Sequence, residues 1–258
     1  MKYTVITGAS SGIGYEAALA FAARGKNLVL AARRTEELEA LKSKIAEIDG
    51  SLDVVIRTVD LSVAERVHEF YESLQGYDVE TWINNAGFGN FASVGEQHLP
   101  KIEQMLHLNI EALTILSSLY VRDYADKEGT QILNISSGGG YTIVANAVTY
   151  CATKFYVSAF TEGLAQELRS KKLPMQAKVL APAATETEFA QHAFDLDGFE
   201  YGTSVAKFHT AAEMAGFLLD LYDSNKVVGI VDGLTYEFKL QDPIFPYADR
   251  AQTSKDEA

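Results

Sequence analysis

Two apolar patterns alternate along this chain. Short β-branched and aliphatic runs stand at residues 3–7, 26–32, 52–59, 79–84, 131–135, 176–180 and 226–231, and they read as buried strands. Between them lie longer stretches of helical composition or spacing, at 15–24, 35–48, 62–75, about 100–124, about 150–170 and about 211–222. In 35–48 the inward face is Leu38, Leu41, Ile45 and Ile48; in 62–75 it is Val63, Val67 and Phe70. Residues 182–208 carry no regular pattern. Seven strands alternating with helices predict an α/β fold, doubly wound, with a seven-stranded parallel sheet covered on both faces. In such a sheet ligands bind beyond the carboxyl ends of the strands, where the strand order reverses. No repeat or low-complexity linker divides the chain, so residues 1–247 are expected to form one domain and the polar run 248–258 a frayed tail.

Composition narrows the function. Of 258 residues, 47% are hydrophobic, enough for a sizeable core without covalent staples. The single cysteine, Cys151, excludes an intrachain disulfide and a cysteine zinc cluster, and no histidine pair has metal-ligand spacing, so no metal is expected. A net charge of −13 argues against nucleic acid as a partner, because no basic surplus exists to neutralise phosphates. No apolar run approaches the roughly 20 residues of a membrane span. The first strand starts by residue 3, which leaves no room for a signal peptide, and the cytoplasm is the expected compartment.

The strand ends carry the candidate chemistry. Gly8, Gly12 and Gly14 follow the first strand at once and open the first helix, with Ser10, Ser11 and Ile13 among them. Glycines let a pyrophosphate approach the backbone, and the unpaired N–H groups of a first helical turn face the anion. The spacing is G-x-x-x-G-x-G rather than the general G-x-G-x-x-G. At the end of the second strand, Ala32 stands where a carboxylate would hold the adenosine ribose, and Arg33 and Arg34 follow. Guanidinium groups beside a missing acid favour NADP(H) over NAD(H), and Ser10 and Ser11 add hydroxyl donors for the same 2′-phosphate. Asp60 either accepts from the adenine amino group or, like Ser62, caps the next helix. Asn84-Asn85-Ala86-Gly87 ends the fourth strand with small residues, which suit a close backbone approach or a plain turn.

Tyr150 and Lys154 lie four apart, on one face of a helix. A neighbouring ammonium favours phenolate, which predicts a Tyr150 pKa below its usual value of about 10 and a general acid/base for a carbonyl or alcohol. Tyr222 and Lys226 repeat the spacing. Context separates the pairs: Tyr150 follows Ser137, at the end of an apolar strand on the ligand side, whereas Tyr222 closes a helix on the opposite side.

Taken together, these residues resemble the short-chain dehydrogenase/reductase family in its classical form. The resemblance rests on Thr7-Gly8 through Gly14, Asp60, Asn84 to Gly87, Asn109, Ser137, and Tyr150 with Lys154, over about residues 3–190. It implies a Rossmann-type fold and hydride transfer between nicotinamide C4 and a carbonyl or alcohol carbon. Tyr150 would be the acid/base, and Lys154 would bind the nicotinamide ribose and depress the phenol. Ser137, or its neighbour Ser136, would hold the substrate oxygen, and Asn109 would position a relay water. The coenzyme would also contact Leu61 beside Asp60, Asn85 to Gly87, Pro182 and Thr187. Two departures stand out. Pro182-Ala183 replaces the family's usual Pro-Gly, and the chain runs on well past Asp232-Gly233-Leu234. The family commonly forms dimers or tetramers through the helices at 100–124 and 150–170. Gly138 to Ala147 and Glu188 to Phe208 are the expected substrate walls, with Tyr141, Ile143, Val144, Phe189, Phe194, Phe199 and Tyr201 favouring an apolar carbonyl compound. Gly198 and Gly202 suggest a mobile lid. A 3-oxoacyl-carrier-protein reductase and a non-catalytic NADP(H) sensor are the alternative functions. The first would want a basic docking patch, which this acidic chain does not clearly offer.

Overall fold

The computed structural model describes residues 1–194, 201 and 207–248. Its strands are β1 (Lys2–Thr7), β2 (Asn27–Ala32), β3 (Val54–Thr58), β4 (Asp78–Asn84), β5 (Gln131–Ile135), β6 (Gln176–Ala181), the two-residue β7 (Thr185–Glu186) and β8 (His209–Thr210), β9 (Val228–Val231) and β10 (Phe238–Gln241). The helices are α1 (Gly12–Ala22), α2 (Thr35–Ile48), α3 (Ala64–Glu72), α4 (Leu99–Leu106), α5 (Leu113–Tyr124), α6 (Val148–Ser170), α7 (Phe189–Phe194) and α8 (Ala211–Asp223). The main sheet runs β10-β9-β6-β5-β4-β1-β2-β3, with β7 and β8 paired apart from it. All seven expected strands lie in this sheet and pair in parallel. The order reverses between β1 and β4, so the site is expected over their carboxyl ends.

Alternate side chains feed two cores. Val5, Val29, Trp82, Ile132 and Val179 pack under α3, α5 and α6, whereas Ile6, Leu28, Leu30, Ile83, Leu133 and Leu180 pack under α1, α2 and α8. Trp82 is fully buried, and truncating a core Trp costs about 3–5 kcal/mol. Its indole N–H donates to Asn84 Oδ1 (2.8 Å). The Asn84 amide donates to Ser117 Oγ (3.0 Å) and to Asn134 Oδ1 (2.9 Å), and Asn134 donates to Thr161 Oγ1 (2.8 Å). This chain of amides links β4, β5, α5 and α6 inside the core.

The structure departs from the sequence expectations in four places. Ile48 and Val63 are exposed, not inward, because each sits at a helix end, past the last inward turn of α2 and at the N-cap of α3. The helix expected over 100–124 is α4 and α5 joined through a π turn, His107–Ala112. An eighth strand, β10, pairs antiparallel with β9 at the sheet edge, and Phe238 stacks on Phe217 (4.4 Å between centroids). The irregular stretch 182–208 contains β7 and α7. The C-terminal segment beyond β10 stays against the body. The Glu162 carboxylate on α6 accepts from Ile244 N (2.5 Å), Phe245 N (2.8 Å) and the Tyr141 hydroxyl (2.6 Å). Residues from 249 onward, most of the expected tail, lie outside the described residues.

A second buried charge closes α8. Lys178 on β6 donates to the carbonyls of Leu221 (3.0 Å), Tyr222 (2.7 Å) and Ser224 (2.7 Å), so the ammonium meets the negative end of the helix. Burial lowers its pKa to about 8, with Asp223 pulling the other way. Among the described residues no helix is long and apolar enough to cross a membrane.

Candidate active site

The turn after β1 is fastened to its neighbours before any ligand is considered. Gly8 N and Ala9 N donate to Ala31 O on β2 (2.7 and 3.3 Å). Thr7 Oγ1 accepts from Asn85 N (3.0 Å) and Ala86 N (3.1 Å), and Asn85 Nδ2 donates to the carbonyls of Thr7 (3.0 Å) and Gly8 (3.1 Å). Asn85 therefore buttresses the glycine turn from β4. Gly8 has φ +67°, and a Cβ there would sit 2.8 Å from Ala86 Cα; one on Gly14 would sit 2.4 Å from both Asn85 Nδ2 and Gly8 O. No side chain fits at either position. The result is a bare backbone cradle at the N-terminus of α1, suited to a pyrophosphate. Ile13 packs half-buried against the core, and Leu61 is buried in the opposite layer. Thr187 lies over the turn, its methyl carbon 3.0 Å from where a Cβ on Gly12 would be. Pro182 O accepts from Gly138 N (2.7 Å), tying the end of β6 to the turn after β5. Ala183 is not among the described residues with positive φ, so alanine is unstrained where the family has glycine.

At the end of β2, Arg34 donates to Ser10 Oγ and Ser10 O (both 3.3 Å) and forms an ion pair with Glu188 (3.0 Å). Arg33 is exposed, and its charge helps hold Asp60 below the usual carboxylate range. The larger lowering influence on Asp60 is Ser62, whose N and Oγ both donate to Asp60 Oδ1 (3.0 and 2.7 Å), against the raising effect of burial. Asp60 thus closes the turn ahead of α3.

The catalytic candidates converge at the carboxyl ends of β4 and β5. The π turn carries buried Asn109, whose Nδ2 donates to Phe88 O (2.9 Å) and Thr153 Oγ1 (3.1 Å) and whose Oδ1 accepts from Phe88 N (3.2 Å). π turns are frequent at functional sites, where they re-aim a side chain. A Cβ on Gly87 would meet both Asn109 Oδ1 (2.9 Å) and Lys154 Nζ (3.6 Å), so the missing side chain leaves that corner clear. Lys154 is buried on α6 and donates to Ile135 O (2.9 Å). Burial lowers its pKa to about 8. Of the two serines, Ser136 faces α6, bonded to Lys154 O (2.9 Å) and Ser158 Oγ (2.7 Å), whereas Ser137 Oγ and the Tyr150 ring both border Gly139, 3.5 and 3.7 Å from where a Cβ there would be. Ser137 Oγ also accepts from Gly139 N (3.0 Å), which fixes its direction.

Tyr150 departs from expectation in one respect. Burial pushes its phenol up, not down; hydrogen bonding with Ser137 opposes this, and Cys151 adds to it. The Lys154 ammonium lies 5.9 Å from the ring centroid and is engaged by Ile135 O, so desolvation decides the direction. The second Tyr–Lys pair is structural: Tyr222 packs edge-on against Phe21 (5.2 Å), and Lys226 pairs with Asp242 (2.8 Å) on the surface.

Around Tyr150 the walls are apolar. Ile102, Met105, Ala147 and Cys151 form a buried cluster with it, flanked by Phe88, Phe91 and Phe189. Phe189 lies 5.4 Å and Phe91 6.2 Å from the Tyr150 ring, and Phe91 stacks on Phe194 (4.5 Å). Ile143, Val144 and Phe194 are exposed. Tyr141, expected in the wall, instead stacks on Phe245 (5.5 Å) and bonds Glu162, because its side of the 138–140 turn faces α6. Tyr201 packs tilted against Phe208 (5.2 Å between centroids), and Phe199, Gly198 and Gly202 lie outside the described residues. Phe88, Phe91, Ile102 and Met105 join the wall beyond the residues the sequence points to, because their hydrophobic pattern is that of ordinary core. Glu188 was not singled out either, and an acid directly after Thr187 was its only signal.

A glycine turn at the strand-order reversal of a doubly wound sheet defines the dinucleotide-binding class of α/β proteins. The short chain dehydrogenase family model matches residues 2–197. An uncharacterized oxidoreductase of Staphylococcus saprophyticus is 31% identical over 200 residues, covering 76% of this chain and 79% of that protein. Human dehydrogenase/reductase SDR family member 11 is 30% identical over 202 residues (76% and 78%). A short-chain dehydrogenase from Sphingobium yanoikuyae, solved in complex with NADPH, superposes with a TM-score of 0.81 at 28% identity, covering all of this chain and 93% of that one. The chain belongs to the short-chain dehydrogenase family, whose members are oxidoreductases that bind a nicotinamide coenzyme.

Proposed function

We propose that this protein is an NADP(H)-dependent oxidoreductase that reduces the carbonyl of an apolar substrate, with Tyr150 as the general acid. The observation that carries this reading is the constellation of Ser137, Tyr150 and Lys154 beneath an apolar wall. The cradle over Gly8 and Gly14, which any Cβ would fill, fits a coenzyme pyrophosphate. Arg33, Arg34, Ser10 and Ser11 would hold the 2′-phosphate, Lys154 the nicotinamide ribose, and Asn85 to Gly87, Pro182 and Thr187 the nicotinamide side. When bound, the reduced coenzyme supplies the hydride.

The residues supply orientation and the proton. Ser137 Oγ donates to the substrate oxygen and fixes it beside Tyr150, stabilising charge that grows there. A phenol kept protonated by burial can act as a proton donor at neutral pH. As the proton leaves, the Lys154 ammonium balances the phenolate. Asn109 ties the Phe88 backbone to Thr153 on α6, and a water beside it would resupply the proton. The apolar wall expels water and selects apolar groups. Similar proteins agree in kind. Human 17-beta-hydroxysteroid dehydrogenase type 3 is 29% identical over 197 residues, and a bulky-bulky ketone specific alcohol dehydrogenase from Comamonas testosteroni is 26% identical.

The test is a panel of ketones run with NADPH and with NADH, on the wild type and on Tyr150→Phe. NADPH oxidation that drops by about 10²–10⁴ in the variant, with coenzyme binding retained, supports the reading. Tight binding without turnover on any ketone would favour a sensor, and a preference for NADH would overturn the assignment of Arg33 and Arg34.

A further inference from the structure

The guanidinium of Arg34 is already matched to an anion. Its two terminal nitrogens reach the two carboxylate oxygens of Glu188, at 3.4 and 3.0 Å, in a fork-to-fork pair. Its Nε and a terminal nitrogen also hold Ser10 Oγ and Ser10 O, each at 3.3 Å. Ser11 also helps to lower the Glu188 carboxyl. Glu188 is thus held by Arg34, with Ser11 acting on its carboxyl and Ser10 bonded to the same guanidinium. These are three of the four groups assigned above to the 2′-phosphate. The match is chemical as well as spatial, because a carboxylate and a phosphate both present two oxygens to a planar fork. Glu188 stays ionised, its carboxyl held below the usual range first by Arg34.

We infer that Glu188 is an internal stand-in for the coenzyme's 2′-phosphate and sets coenzyme selectivity by competing for Arg34. The inference rests on the proposed assignment of Arg34 to that phosphate. Two anions cannot share one guanidinium without repulsion, so a 2′-phosphorylated coenzyme must displace the carboxylate. A coenzyme that ends in a ribose hydroxyl has no such competition and leaves the pair intact. The wild-type preference for NADPH is therefore smaller than the Arg34 site alone would give. Glu188 also follows Thr187, and its carbonyl accepts from His192 N (3.2 Å) at the start of α7. The competing anion is therefore carried by the segment that brings Phe189 to Tyr150.

The experiment is equilibrium titration by coenzyme fluorescence, with NADPH and NADH, on the wild type, Glu188→Gln, Arg34→Leu and the double variant. Both partners are partly exposed (42% and 46%), so the variants test charge and leave the core intact. In Glu188→Gln the Kd for NADPH is expected to fall about two- to five-fold, the factor that up to about 1 kcal/mol of exposed ion pair converts to at 1.4 kcal/mol per decade. NADH should change by less than about 1.5-fold. Arg34→Leu should weaken NADPH and erase the gain from Glu188→Gln. If Arg34→Leu weakens NADPH but Glu188→Gln leaves it unchanged, weakens it, or tightens both coenzymes alike, the competition is refuted and the coenzyme assignment survives. If Arg34→Leu leaves NADPH affinity unchanged, the coenzyme assignment fails and the inference falls with it.

Discussion

Gly14 and Asn85 approach so closely that a methyl group on residue 14 would lie 2.4 Å from the Asn85 amide nitrogen. The same methyl would lie 2.4 Å from Gly8 O, a backbone atom that cannot rotate away. Asn85 cannot retreat either, since it bonds the Thr7 and Gly8 carbonyls. Gly14→Ala is therefore expected to cost about 1–3 kcal/mol, as overpacking does, and to weaken NADPH binding more than tenfold. Gly163 on α6 has open space around its Cβ direction, so Gly163→Ala should gain up to about 1 kcal/mol. Urea unfolding of both variants checks the contrast; equal effects would contradict the geometry.

Lys154 should set an alkaline limit on coenzyme use. Its pKa is lowered to about 8 by burial, so the ammonium is present below that pH and lost above it. The kcat/KM for NADPH, which reports the free enzyme, is expected to fall through a single ionisation near pH 8. A profile that stays level to pH 9.5 would show that the charge on Lys154 is not needed.

Lys178 makes a separate statement about stability. Its folded pKa of about 8 lies below the usual lysine value of 10.5, so between those values the unfolded chain holds more protons than the folded one. Unfolding free energy therefore gains a rising contribution from pH 8 to 10.5 and is reduced below pH 8. Lys178→Met should remove that slope. It should also lower stability at pH 7 by about 1–3 kcal/mol, because three carbonyls at the end of α8 lose their donor. Urea midpoints at pH 7 and pH 9.5 measure both effects, and an unchanged slope would count against the assignment.

Glu162 should govern the C-terminal segment. Its carboxylate collects two backbone N–H groups and the Tyr141 hydroxyl. Glu162→Ala strands all three donors and is expected to cost about 3 kcal/mol or more. Protease cleavage near residues 242–248 should appear in the variant well before the main unfolding transition. Coincident cleavage and unfolding would mean that the segment is held by other contacts.

What the sequence disclosed, and what it hid, follows from the kind of contact involved. β1, β2 and β4 to β6 were legible because a parallel strand buried on both faces must be apolar throughout. β10 was not, since a four-residue edge strand of half-exposed residues carries little pattern. Ser137, Tyr150 and Lys154 were legible as a set because strand end and helix face put them on one side of the sheet. The helix around Asn109 looked continuous, because a π turn changes hydrogen bonding without changing residue types. Tyr141 was misplaced because an aromatic residue does not announce which way it points. The pair of Arg34 with Glu188 spans 154 residues, and only the folded chain brings it together. The direction of the Tyr150 pKa depended on desolvation, which spacing does not encode.

The amides of Asn84 and Asn134 stand directly opposite each other across β4 and β5. Parallel strands meet late in folding, across long loops, with nothing local to tell one alignment from the next. A shift of one residue would turn Asn134 to the face away from Asn84 and leave both amides without their cross-strand partner in a dry interior. The misaligned sheet is thereby penalised at the moment it forms. The same amides that look like a costly polar intrusion work as a proofreading key, admitting the one register in which the strand ends come level and the glycine turn, Ser137 and Gly87 meet.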